Sequence, residues 1–200
     1  MSDNVLDIEN LTVRFHLKRG HLTAIDGLTF SVKHGETFGL VGESGSGKSV
    51  TARSIMRLIP TPPGEIVSGR IMFNGEDIYE KTNDEMRAMR GKEVAMVFQE
   101  PMSALNPVFT VGSQISDALR TNMGMSKSEA NDRVVELLQL VGIPSPGSRL
   151  DSYVHEFSGG MRQRVMLAMA LSCDPTFLIA DEPTTALDVT IQAVILDLIR

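Results

Sequence analysis

The chain has 200 residues, 42% of them hydrophobic, with 19 basic and 25 acidic side chains and a formal net charge of −6. A chain of this size buries roughly 70% of its unfolded surface without disulfide staples, and its ordinary globular composition, with 22% charged residues, excludes a disordered tail, a collagen and a coiled coil. One cysteine, Cys173, excludes a disulfide framework and a Cys-based zinc site within the chain, and the acidic balance argues against non-specific nucleic-acid binding.

The N-terminal segment MSDNVLDIEN has no basic start and no apolar core, so no secretory signal is expected. Leu11, Val13 and Phe15 then alternate with polar residues, as do Phe30 and Val32, which predicts two strands. His34-Gly35-Glu36 marks a turn. Thr37–Val41 is apolar on both faces and is expected to be a buried central strand. A glycine-rich loop follows. A helix is expected from Lys48 to Ile59, stopped by Pro60, Pro62 and Pro63.

Ile71 and Phe73 predict a strand closing on an Asn74-Gly75 turn. Asp84–Arg90 reads as a short polar helix, and Val94–Phe98 as a second buried strand. Beyond Thr110 the period becomes helical. Val134, Leu137, Leu138 and Val141 share a face, Ser126-x-x-Glu129 is a capping box before them, and Gly142 is a stop. A helix from Gly159, a strand Phe177–Ala180 and a last helix striped by Ile191, Val194, Ile195 and Leu198 complete the pattern. That last stripe runs into Arg200 without a stop, as if the chain were cut inside an element. The sum is an α/β core carrying a helical insertion.

Three motifs carry chemistry. Gly42-Glu43-Ser44-Gly45-Ser46-Gly47-Lys48-Ser49 fits G-x-x-x-x-G-K-[ST] between a strand and a helix. Its glycines let backbone N–H groups from Gly42 to Val50 wrap a polyphosphate, at a helix end that favours negative charge. Lys48 would reach the β- and γ-phosphates and Ser49 would offer its hydroxyl to Mg²⁺. Phe177-Leu178-Ile179-Ala180-Asp181-Glu182 puts two acids at the C-terminal edge of a strand, where α/β ligands bind. Asp181 would hold Mg²⁺ through water, and Glu182 would polarise an attacking water. By itself this second motif also reads as a solvated strand end. Ser158-Gly159-Gly160-Met161-Arg162-Gln163-Arg164 opens a helix with a serine cap followed by two residues without side chains, either a second anion-binding terminus or an ordinary capped helix.

In this order the motifs resemble the Walker A, signature and Walker B elements of ABC transporter ATP-binding subunits, over nearly the whole chain. VGESGSGKSVTA, QEPMSALNP, HEFSGGMRQRV and DEPTTALDVTIQ resemble more narrowly the dipeptide/oligopeptide (and nickel) importer subfamily. The resemblance implies a single P-loop NTPase domain over residues 1–200. Its nucleotide-binding core and antiparallel β subdomain take 1–98 and 158–200, and a helical insertion subdomain takes 99–157. It implies that Gln99 is the Q-loop residue linking Mg²⁺ and water to membrane subunits, that Asp188 lies in the D-loop, and that Phe15 stacks on adenine, though a strand phenylalanine also reads as core.

It further implies an ATPase that uses ATP and Mg²⁺. Two subunits would meet head to tail, each ATP lying between Walker A of one and Ser158-Gly159-Gly160 of the other. The assembly would sit on the cytoplasmic face of the membrane against transmembrane permease subunits, served by an external peptide-binding protein and by no nucleic acid. The family's switch histidine follows Walker B, whereas His16, His21, His34 and His155 all precede it, so a C-terminally truncated subunit is implied. Two alternatives stand beside this reading. One is a nucleotide-binding module deficient in hydrolysis, and the other is a soluble ABC ATPase uncoupled from transport.

Overall fold

The computed structural model describes residues 3–183 and 192, and the chain divides into two units between Arg87 and Ala88. In the first unit, β1 (Asn4–Leu17) and β2 (Gly20–Lys33) form a long hairpin. β3 (Gly64–Phe73) pairs with the other edge of β1, and the two-residue β4 (Glu76–Asp77) closes an antiparallel sheet of order β2-β1-β3-β4. β1 is central, and the apolar residues Leu6, Ile8, Leu11 and Val13 are fully buried with Ile71 and Phe73 of β3. The β1–β3 register shifts between Glu9 and Thr12. There Gly69 has φ +92, and a Cβ on it would lie 2.5 Å from the Asn10 carbonyl oxygen. Only glycine permits that approach. Asn74 and Gly75, at φ 50 and 82, form the expected turn into β4.

Two expectations change in this unit. Helix α1 covers Lys48–Ile55 and ends short of Ile59. Arg57 turns to φ 48, and its guanidinium donates to the carbonyls of Ile78 at 3.2 Å and Lys81 at 2.6 Å and to Asn83 Oδ1 at 3.0 Å. Those bonds offset the left-handed backbone and break the helix before the prolines do. The second change concerns Thr37–Val41, which is no buried strand. It joins neither sheet, and Phe38, Leu40 and Val41 are exposed. Apolar content favours burial, but a strand also needs a ladder partner. Here Phe38 instead stacks on Phe30 of β2, with ring centroids 4.9 Å apart and planes 4° from parallel.

In the second unit β5 (Val94–Val97) and β6 (Phe177–Ala180) pair in parallel, Val94 opposite Phe177 and Val97 opposite Ala180. β5 is buried throughout. The chain between them forms α3 (Val111–Met123), α4 (Lys127–Leu140) and α5 (Gly159–Leu171). A short polar helix, α2 (Asn83–Met89), straddles the division. Helices and β5 share a core in which Ile115, Leu119, Val134, Leu137, Leu138 and Met166 are almost fully buried. The last predicted helix lies outside the described residues.

The capping box at α4 forms as predicted. Ser126 N–H donates to Glu129 Oε2 at 2.8 Å, and Glu129 N–H donates to Ser126 Oγ at 3.3 Å. The Ser126 hydroxyl and then its backbone N–H hold the Glu129 carboxyl below the ordinary carboxylate range. A lowered folded value means the contribution is complete above the unfolded carboxyl range and is lost as pH falls through the folded value. Glu129→Ala should therefore be less stable than the native chain at neutral pH, and the difference should close on acidification. Urea unfolding as a function of pH measures it, and a difference that widened in acid would contradict the cap.

Candidate functional site

Each unit brings part of the predicted site. In the first, residues 41–46 are exposed and lead into α1 through Gly47. Gly45 has φ +81, while Gly47 has φ +91 and caps α1 without a side chain. A Cβ on Gly47 would lie 2.6 Å from the Ala24 carbonyl oxygen, and one on Gly42 would lie 2.5 Å from Ser46 Oγ. The bend is therefore closed to any larger residue at Gly47, where the obstacle is backbone, whereas at Gly42 it is a serine hydroxyl that can rotate. No acidic residue occupies the first turn of α1, so no carboxylate of that turn competes for its positive end.

Lys48 folds back over the loop, its Nζ donating to the carbonyls of Gly42 at 2.8 Å and Glu43 at 2.9 Å. Ser46 N–H is turned to the Glu43 carbonyl at 3.2 Å, so this one amide is engaged within the loop. The result is an ammonium held by neutral carbonyls beside a helix N-terminus. A phosphate oxygen is a stronger partner for that ammonium than a carbonyl is. Ser44 is exposed, and Ser49 and Val50 are half-buried in the first turn of α1. Phe15 is half-buried in β1, opposite Leu22 and Gly64, and its ring would lie 3.2 Å from a Cβ on Gly64. It packs on bare backbone near the end of the hairpin.

The second unit gathers the acids. Because β5 and β6 run parallel and in register, their exits share one edge, and Gln99 and Glu182 follow at equal distance along the two strands. Gln99 Nε2 donates to Glu182 Oε2 at 2.8 Å. The Asp181 N–H donates to the Val97 carbonyl at 2.9 Å, extending the ladder past the last strand residue. Glu182 then takes φ 50, a left-handed conformation uncommon for glutamate. Within this unit the carboxylate of Asp181 and the carboxamide oxygen of Gln99 are hard oxygen donors, and in the first unit the hydroxyl of Ser49 is another. That chemistry fits Mg²⁺ better than a soft or imidazole-seeking metal.

Ser158 caps α5, its Oγ accepting from Met161 N–H at 3.3 Å. Gly159 follows with nothing within 4 Å of where a Cβ would stand, so packing does not require that glycine. Asp188 lies outside the described residues. Two polar residues of α5 stand within the third motif but have no role assigned from the sequence. Arg162 donates to the carbonyls of Val154 at 3.0 Å and His155 at 3.3 Å. Gln163 is 2% exposed and donates to the Pro183 carbonyl at 2.9 Å. Its signal was a polar residue at helical spacing from the apolar Met166 and Leu167.

A model of the family described as ABC transporter matches residues 25–185. The dipeptide transport ATP-binding protein DppD of Bacillus subtilis is 52% identical over 198 residues, covering 99% of this chain and 59% of that protein. The oligopeptide transport ATP-binding protein OppD of the same organism is 53% identical over 196 residues, covering 98% and 55%. DppD of Escherichia coli is 51% identical over 195 residues, covering 98% and 59%. The chain thus spans 55% to 59% of the length of these relatives. Among solved structures, the dimeric post-hydrolysis state of the ATP-binding cassette MJ0796 bound to ADP and Pi superposes with TM-score 0.87 at 26% identity, covering 97% of this chain and 81% of that one.

Two glycines separate a required backbone from an open surface. Gly47→Ala should be destabilised by about 1–3 kcal/mol and should lose retention on immobilised ATP. Gly159→Ala should stay within about 0.5 kcal/mol of the native chain. Urea unfolding and the retention assay check both, and equal behaviour of the two variants would contradict the loop geometry.

Proposed function

Because this chain belongs to the ABC transporter family, we propose that it is the ATP-binding and ATP-hydrolysing subunit that powers import of dipeptides or oligopeptides across the cytoplasmic membrane. The observation that carries the nucleotide assignment is the Gly47 bend with Lys48 folded over it. Identity of about half the residues to subunits named for dipeptide and oligopeptide transport supports the substrate class.

Lys48 leaves the Gly42 and Glu43 carbonyls for the β- and γ-phosphates, and the amides of the bend and of the first turn of α1 take the remaining phosphate oxygens. Phe15 stacks on the adenine. Ser49, Asp181 and Gln99 are the oxygen ligands proposed for Mg²⁺. Bound with the nucleotide, the cation neutralises charge that develops on the phosphates. Glu182 orients the attacking water and accepts its proton, and the Gln99 amide fixes one carboxylate oxygen by hydrogen bonding.

The capped, side-chain-free start of α5 at Ser158-Gly159-Gly160 serves the γ-phosphate of a nucleotide held by a second subunit in a head-to-tail pair. Asp188 joins that interface. Closure then depends on ATP, because the γ-phosphate satisfies donors on both subunits, and hydrolysis removes the link. Residues 99–157 form the insertion that carries this motion to transmembrane permease subunits. An external binding protein delivers the peptide. No described helix is long and apolar enough to cross a membrane, and the proposal places the subunit peripherally on the cytoplasmic face.

Two variants test this in the full protein. Lys48→Ala should lose ATP retention altogether. Glu182→Gln should retain ATP, release no phosphate, and run as an ATP-dependent dimer in size-exclusion chromatography. ATP retention by Lys48→Ala would remove the phosphate assignment. Undiminished phosphate release by Glu182→Gln would remove the assignment of the base.

A further inference from the structure

Gln163 lies on α5 where its neighbours Val165, Met166, Leu167 and Ala168 are all almost fully buried, and Gln163 itself is 2% exposed. A carboxamide in such a place costs stability unless its polar atoms are bonded. One is, since Nε2 donates to the Pro183 carbonyl at 2.9 Å. The other is not, since Oε1 has no hydrogen-bond partner among the described residues. Turning the amide over would set oxygen against the Pro183 oxygen, so the bond fixes its orientation. An apolar side chain of equal length would fill this site without an orphaned oxygen.

What Gln163 holds is the turn that carries Glu182. That residue has φ 50, a left-handed conformation that is unfavourable for a side chain other than glycine. Upstream, Asp181 N–H is fixed to the Val97 carbonyl at 2.9 Å. Downstream stands Pro183, which has no N–H to tie the turn back. The grip on that side comes through its carbonyl, from Gln163. The two bonds bracket Glu182, whose Oε2 then accepts from Gln99.

We propose that Gln163 is a positioning residue for hydrolysis. From the helix that begins at Ser158-Gly159-Gly160, it clamps the Pro183 carbonyl and so fixes the left-handed turn that aims the Glu182 carboxylate. The role rests on the ATPase reading above and adds a link within one chain. The helix that offers its N-terminus to one nucleotide also holds the base that acts on another. Displacement of α5 moves the Pro183 carbonyl and, through one peptide unit, Glu182.

The test is steady-state phosphate release by the full chain, comparing the native protein with Lys48→Ala and Gln163→Met. Methionine matches glutamine in length and cannot donate to Pro183. Gln163→Met should lower kcat by at least about tenfold, in keeping with the cost of misplacing a catalytic group by around an ångström. KM for ATP and Tm should stay at the native values. Unchanged kcat overturns the proposal, and so does a fall in kcat matched by a comparable rise in KM or by a lowered Tm, which would mark general loosening. A native chain with no Lys48-dependent turnover overturns the hydrolysis reading itself, and the positioning role with it. If Gln163→Met does not fold, hydrogen exchange of the Gln163 side-chain amide in the native chain decides. Protection from exchange supports the clamp, and exchange at the solvent rate overturns it.

Discussion

The first unit depends on one backbone constraint, the bend at Gly47, and under the proposed function that backbone meets the concentrated negative charge of a triphosphate. The bend before α1 works because Gly47 sits at φ +91 with the Ala24 carbonyl where a Cβ would be. Removing the side chain lets the chain enter the helix tightly and leaves the helix end uncovered. Lys48 adds a full charge that rests on the Gly42 and Glu43 carbonyls. The Arg57 clamp that ends α1 gives the helix a fixed C-terminus. The antiparallel sheet supplies the Ala24 carbonyl against which the bend is set.

The second unit answers a different demand, which is to place one carboxylate with fixed direction. Parallel pairing of β5 and β6 brings Gln99 and Glu182 out at one edge. Parallel strands cannot be joined by a short turn, so a long connection is obligatory. Here α3, α4 and α5 supply it. A long crossover is thus a topological consequence of the parallel pair, and its last helix, α5, returns through Gln163 to the turn at Glu182. Under the proposed function, binding would rest on the backbone geometry of the first unit and hydrolysis on the side-chain orientation in the second.

Features with a local cause were readable from sequence. The Ser126–Glu129 capping box, the Asn74-Gly75 turn, β5 and β6 all depend on residues within a few positions of one another, and all formed where the pattern put them. The glycine-lysine loop was legible for the same reason. Features set by distant partners were not. Helix α1 ends early because Arg57 finds carbonyls some twenty residues onward. Thr37–Val41 has the composition of a central strand but no ladder partner among the described residues, and Phe38 stacks on Phe30 while staying exposed. Gln163 stood in the third motif without a role because its partner, a carbonyl twenty residues away, leaves no mark in the composition of α5.

The central claim is that the backbone of the Gly42–Val50 loop grips a nucleotide triphosphate. It is tested most directly by nuclear magnetic resonance of the ¹⁵N-labelled chain titrated with a non-hydrolysable Mg-ATP analogue. The account predicts saturable shifts centred on the amides of Gly45, Gly47, Lys48 and Ser49, lost in Lys48→Ala. Saturable binding that left those amides unmoved, or no binding at millimolar analogue, would contradict it.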